Sequence, residues 1–112
     1  MSPLNAAIED FDAERVAVLI ASGIDVNRPE PEMCGFYPLQ HSVDIECEDS
    51  CYRFDKGDLS ASPRATITEL LLRAGANPDL IDASGESARS WAEKRLHKEA
   101  LRLFGAIRPA AD

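Results

Sequence analysis

The chain lacks the features that would place a protein in a membrane, on nucleic acid or in a secretory pathway. No apolar run approaches the roughly 18 residues of a membrane span. No basic segment precedes an apolar stretch at the N-terminus, as a secretory signal requires. Basic residues are outnumbered, since 12 Lys and Arg stand against 20 Asp and Glu and leave a net charge of −8. Because nucleic acids and anionic membranes repel an acidic surface, we expect a cytoplasmic protein that binds neither.

Cysteine is too scarce to organise the fold. Three cysteines are an odd number and do not make a disulfide framework, so reduced thiols are expected. Cys34, His41, Cys47 and Cys51 are residue types that bind zinc, but their spacings of seven, six and four residues match no common zinc module. We therefore expect no metal. The alternative left open is a metal- or thiol-redox-responsive protein that uses Cys34, Cys47 and Cys51.

The motifs of common catalytic sites are also missing. The sequence has no glycine-rich phosphate loop and no Gly-x-Ser-x-Gly. The acidic residues between Asp44 and Asp49 lack the glycine turn of a calcium loop, which favours a solvated acidic surface. Nothing fixes His41 as the base for a cysteine nucleophile. The expectation is a protein that is not an enzyme and has no cofactor.

One pattern of two short amphipathic helices occurs three times in these 112 residues, whose length indicates a single domain. In residues 2–27, Ser2 can cap a helix in which Pro3 occupies the first turn, and Gly23 ends a second helix. The second occurrence is divided between residues 35–43 and 65–79. The third, residues 85–106, is weaker. Apolar side chains recur at helical intervals in each, so the fold is predicted to be all-α.

The motifs that open and close these occurrences resemble those of the ankyrin family. That family repeats a Thr-Pro-Leu-His opening, a Gly-His-x-Glu turn and a Gly-Ala-Asp-x-Asn ending. Here "SPLN" at 2–5 resembles the opening, and "GIDVN" at 23–27 and "GANPD" at 75–79 resemble the ending. The His-x-Glu of the turn stands at 97–99. The resemblance implies a solenoid of about three helix-turn-helix repeats, similar to small bacterial ankyrin proteins with an expanded middle repeat.

Two openings depart from the family motif. "YPLQ" at 37–40 keeps Pro-Leu and "SARS" at 87–90 keeps only a Ser, so the residues that usually make the inter-repeat hydrogen bonds are missing there. His41 lies beside the position of the motif's His, which suggests a role in helix packing. His97 resembles the turn His and is expected to bond to nearby backbone. Thr66 and Glu69 have the spacing of a capping box.

The middle repeat is longer than the family period. Gly23 and Gly75 are 52 residues apart, against a period of about 33 residues. The excess predicts an acidic insertion at about 47–62, between the two helices of this repeat. The predicted organisation is one domain over residues 1–107 with repeats at about 2–34, 35–82 and 83–107, followed by a flexible tail at 108–112.

The insertion is predicted to be a recognition loop. Asp44–Asp58 holds six acidic and two basic residues together with aromatic ones, and long insertions in compact domains are usually functional or disordered. Residues 28–37 correspond to the finger that an ankyrin repeat projects. Trp91 either closes the core or anchors a partner. The predicted partner-binding residues are Glu30, Glu32, Phe36, Tyr37, Asp44, Glu46, Glu48, Asp49, Tyr52, Phe54, Asp55, Asp58 and Trp91.

These features predict a non-enzymatic protein–protein interaction module whose partner is another protein of basic character. A specific version is an acidic immunity protein that binds and neutralises a basic toxin such as a nuclease. A structural, self-associating repeat module is a further alternative. We expect a monomer or a weak homo-oligomer.

Overall fold

Three successive pairs of helices make up the fold in the computed structural model, which describes residues 1–105. Within this range the pairs are α1 (Pro3–Glu9) with α2 (Ala13–Ala21), α3 (Pro38–Asp55) with α4 (Thr66–Arg73), and α5 (Ala88–Arg95) with α6 (Lys98–Phe104). A short 3₁₀ turn, Pro31–Met33, lies between the first two pairs. The three pairs confirm the prediction of an all-α fold built from repeats. The predicted tail at 108–112 lies outside the described residues.

Several helix ends follow from local sequence. The Ser2 hydroxyl accepts a hydrogen bond from the Asn5 N–H at 3.2 Å and so caps α1. Asp12 caps α2 in the same way, accepting from the Arg15 N–H at 3.1 Å. Gly23 and Gly75 follow α2 and α4 with φ of 90° and 98°, a conformation that glycine adopts without steric cost. The two glycine stops are therefore where the pattern predicts them.

The helices form two layers around a continuous core. In one layer α3 packs between α1 and α5, in the other α4 packs between α2 and α6, and each pair also packs internally. Each repeat thus covers only its neighbours, as in a solenoid. The largest fully buried apolar side chains are Leu4, Ile8, Val16, Leu39, Val43, Ile67, Leu71 and Phe104.

Polar side chains, some of them buried, tie the first repeat to the second. His41 Nδ1 lies 2.9 Å from Asn5 Oδ1, and His41 Nε2 lies 3.0 Å from Glu9 Oε1. Asn27 donates to the Gly75 carbonyl at 3.1 Å and accepts from the Asn77 N–H at 2.8 Å. His41 is only 1% exposed, so it packs between helices as expected.

Gln40 rebuilds the inter-repeat bonds that the altered opening at 37–40 was expected to lose. Its Oε1 accepts from the Tyr37 N–H at 2.8 Å. Its Nε2 donates to Asp82 Oδ2 at 2.9 Å, at the end of the second repeat, and to the Glu86 carbonyl at 3.2 Å, in the third repeat. An amide has both a donor and an acceptor, so a single Gln side chain can serve both repeats.

The predicted insertion at 47–62 is only partly a loop. α3 has 18 residues, against 7 in α1 and 8 in α5, so the insertion extends this helix to Asp55 before the chain turns at Gly57. No Gly or Pro interrupts residues 39–56, and Cys47 and Ser50 remain buried. Because nothing ends the helix before Gly57, the extension stays helical. None of the helices within residues 1–105 is long and apolar enough to cross a bilayer.

Candidate interaction surface

Glu46 is enclosed at the junction of the second and third repeats, with 0% exposure. Its Oε2 accepts from the backbone N–H groups of Ile67 and Thr68, both at 3.0 Å. Its Oε1 accepts from the Thr68 hydroxyl at 2.6 Å and lies 2.8 Å from His97 Nε2. The prediction that Glu46 contacts a partner is therefore wrong, because its carboxylate is fully used inside the fold.

The Glu46 carboxylate explains how α4 begins. The residue before this helix is Ala65, which has no polar side chain for a cap. The predicted capping box of Thr66 and Glu69 does not form. Glu46 supplies the cap from α3 instead, at the helix end where backbone N–H groups lack intrahelical partners and favour a negative charge.

His97 links the cap to the third repeat. Its Nδ1 accepts from the Ala100 N–H at 3.2 Å, which is the local backbone bond expected from the sequence. A neutral imidazole then carries its proton on Nε2, and this N–H donates to Glu46. The second bond, across the repeat boundary, was not predicted.

The finger residues contribute mainly to the fold. Glu30 is 6% exposed, its N–H donates to the Phe36 carbonyl at 2.9 Å, and its carboxylate accepts from the Ser2 N–H. Glu30 is therefore not a free contact residue, contrary to the prediction. Glu32 is exposed, and its carboxylate pairs with the amino group of Met1.

The predicted aromatic contacts of the finger are half-buried. The rings of Phe36 and Trp91 pack edge to face with centroids 5.5 Å apart. Tyr37 is half-buried at the start of α3. Trp91 thus packs the finger against α5, while its indole N–H is buried without a hydrogen-bond partner within residues 1–105.

The acidic residues predicted on the insertion divide by position. Asp44 is half-buried and pairs with Arg95 of α5, across the repeat boundary. Beyond it lies the segment we call the projection, residues 47–62. Tyr52 and Phe54 are 63% and 51% exposed there. Of the predicted acidic residues on the projection, Asp49 is half-buried, and the exposed ones are Glu48, Asp55 and Asp58.

Arg53 holds the projection together. Its Nε donates to Asp49 Oδ2 at 2.9 Å, one turn back on the helix. Its guanidinium also donates to the Ser62 carbonyl at 2.6 Å and lies 3.8 Å from Asp58 Oδ2. A hydrogen bond from Ser60 lowers the pKa of the Asp58 carboxyl. These contacts fix the returning chain against the end of α3, so the exposed rings stand on an ordered support.

Two exposed apolar side chains beside the projection were missed. Phe11 lies in the turn between α1 and α2, has a φ of 52° and is 37% exposed. Leu96 occupies the equivalent turn of the third repeat with φ of 56° and 70% exposure. Both stand before the residue that caps the second helix, where the family motif has Gly. A large apolar residue at a position where the family motif has Gly was the sequence signal that could have indicated these exposed side chains.

The cysteines differ in accessibility. Cys34 and Cys51 are exposed, and Cys47 is buried. Burial raises the pKa of the Cys47 thiol to about 11. Within the described residues, no three His, Cys, Asp or Glu side chains come together in a way that could hold a metal ion.

Comparison with known proteins identifies the repeats. No protein-family model matches the chain, and no curated protein matches it. Among solved structures, the chain is similar to an ankyrin repeat domain from Acinetobacter baumannii AYE, with 30% sequence identity and a TM-score of 0.71. The match covers 92% of this chain and 45% of that one, so this chain spans less than half the length of its structural relative. On the repeat motifs, the helix pairs and this likeness together, the chain belongs to the ankyrin-repeat family.

Proposed function

We propose that this chain binds a basic protein partner and catalyses no reaction. Ankyrin repeats typically bind other proteins, and the likeness of fold suggests the same for this chain by analogy. The binding surface itself has to be argued from the residues of this chain. The observation that carries it is the projection, where Tyr52 and Phe54 stand exposed among carboxylates on an ordered helix. Exposed aromatic residues are typical anchors of protein interfaces, and surrounding charges speed the approach of an oppositely charged partner.

The order of the projection adds to its value as a binding surface. A flexible loop would lose conformational entropy on binding, at about 0.5–1.5 kcal/mol for each immobilised side chain that is rich in rotamers. Arg53 already donates hydrogen bonds to Asp49 and to the Ser62 carbonyl in the free chain. Part of that cost is therefore met before the partner arrives.

In its most specific form, the proposal is an acidic immunity protein that neutralises a basic toxin such as a nuclease. The net charge of −8 supports this form, because a strongly acidic surface would steer a cationic protein into contact. The acidic projection offers a surface that could cover a cationic active site.

Affinity capture from a lysate of the source cell, at low and moderate salt, tests the interaction. Tyr52→Ser combined with Phe54→Ser is the informative variant, since both side chains are exposed and the fold does not depend on them. Val18→Ser is the matched control, because Val18 is 67% exposed on α2 of the first repeat. We expect one basic protein that is lost with the double variant, kept with the control and weakened by salt.

The captured protein then decides the specific form. Purified partner is assayed for its own activity while wild-type chain is added in increasing amounts. Stoichiometric inhibition supports the immunity role. Binding without inhibition removes that role and leaves the interaction. An acidic partner, or equal loss with Val18→Ser, would contradict the proposal itself.

A further inference from the structure

The unequal lengths of the first two repeats leave a step on the surface. α1 ends at Glu9, whereas α3 continues to Asp55. Residues 45, 48, 49 and 52 of α3 are spaced to lie on one helical face. The end of α1 and the turn that follows it face these residues, and the resulting groove has a volume of about 340 Å³. We call it the step groove; it is lined by Glu9, Phe11, Ile45, Glu48, Asp49 and Tyr52.

The step groove combines apolar walls with negative charge. Three of its lining side chains are carboxylates and none is basic. Glu9 is bonded to His41 but remains 49% exposed, and Asp49 is bonded to Arg53. Glu48 is exposed and makes no ion pair within the part of the chain described. The groove therefore still offers acceptors to a cation that enters it.

The aromatic wall of the groove already attracts a cation from within the chain. Lys56 Nζ lies 5.5 Å from the centroid of the Tyr52 ring, which is within the range of a cation–π contact. Tyr52 is 63% exposed, so a planar cation from outside can reach the ring. Phe11 lines the same groove from the turn between α1 and α2.

We propose that the step groove receives an arginine side chain carried on an exposed basic segment of a protein partner. A guanidinium is planar, stacks on an aromatic ring and can bond a carboxylate with two parallel N–H groups. An ammonium group can approach the ring but is not planar and cannot form the two parallel bonds, so arginine should be preferred over lysine. This inference rests on the proposed binding of a basic protein, and it locates the contact between the first and second repeats, away from the fingers.

The test is a titration of the full ¹⁵N-labelled chain with a short peptide of arginine and alanine, followed by NMR. Matched peptides replace every arginine by lysine or by glutamate. We expect amide shifts confined to residues 9–12 and 45–56 with the arginine peptide, an affinity at least about threefold weaker with lysine, and no shift with glutamate.

Two substitutions by glycine test whether the arginine peptide binds in the step groove. Phe11→Gly removes the groove wall and suits a backbone with φ of 52°, so the fold is retained. Leu96→Gly makes the same change at φ of 56° in the third repeat, on the other side of the projection. We expect Phe11→Gly to weaken the arginine peptide about fivefold to tenfold and Leu96→Gly to leave it unchanged.

Other outcomes overturn the inference without ambiguity. Shifts spread over the whole acidic surface, with equal affinity for arginine and lysine, would show general charge attraction only. Shifts at the fingers would move the contact and leave the proposed function standing. Capture of no basic protein by the wild-type chain would remove the proposed function, whatever the peptide does.

Discussion

Replacing Glu46 by Gln should destabilise the fold although the two side chains have nearly the same shape. The four groups around the carboxylate, two backbone N–H groups, the Thr68 hydroxyl and His97 Nε2, lie within 3.0 Å. The two N–H groups can only donate, and His97 Nε2 is fixed as a donor because Nδ1 accepts from Ala100. Either orientation of a glutamine amide therefore points its NH₂ group at another donor.

The expected cost follows from the number of donors left without an acceptor. One buried unsatisfied group costs about 1–3 kcal/mol, so Glu46→Gln should lose about 2 kcal/mol of unfolding free energy. Glu46→Ala leaves the two backbone N–H groups and His97 Nε2 without an acceptor and should lose about 3–5 kcal/mol, as when one partner of a buried pair is removed. At about 4 °C or more for each kcal/mol in a domain of this size, the two melting temperatures should fall by roughly 8 °C and 12–20 °C.

Thermal and urea unfolding followed by circular dichroism measure these losses. Glu48→Gln is the control, because the same change on the exposed face of the same helix should stay within about 0.5 kcal/mol of wild type. Amide exchange at Ile67 and Thr68 gives a local readout, since these N–H groups should exchange faster once the cap is lost. Equal stability of Glu46→Gln and Glu48→Gln would refute the assignment of Glu46 as a charged cap.

Three further predictions concern the thiols, the projection and the turn between α5 and α6. Cys34 and Cys51 should react quickly with a thiol reagent in the folded chain. Cys47 should react more slowly by about 100-fold or more, because a pKa near 11 leaves little thiolate. The number of thiols that have reacted, followed against time with and without denaturant, checks this. Arg53→Ala should free the loop after α3, seen as faster limited proteolysis within residues 56–62 with little change in melting temperature. Leu96→Gly should raise the unfolding free energy by up to about 1 kcal/mol, because glycine adopts the left-handed conformation without steric cost; a lower value would mean that the exposed Leu96 side chain contributes to packing.

The sequence was sufficient for the repeat architecture because its signals are local. These signals are the capping Ser2, the glycines that follow α2 and α4, and the apolar residues at helical intervals. Each depends on residues within a few positions of one another. The 52-residue separation of Gly23 and Gly75 was also enough to locate the expansion in the middle repeat. The same local logic missed that the expansion continues α3, although the absence of Gly and Pro before Gly57 was visible.

The candidate surface was less accessible to sequence reasoning, because exposure depends on distant residues. Glu46 and Glu48 are similar acidic residues two positions apart, yet one is enclosed and the other is open to solvent. The difference arises because successive faces of α3 meet different neighbours. Glu46 meets donors 21 and 51 residues further along the chain, on α4 and at His97.

The sequence by itself thus determined the repeat period, the helix ends that are set by a local cap or glycine, and the acidic balance of this protein. The tertiary structure decided which carboxylates serve the fold and which remain available to a partner. The physical reason is that a carboxylate can be buried only where enough hydrogen-bond donors converge on it. That convergence is created by the stacking of three repeats and is not present in any one of them.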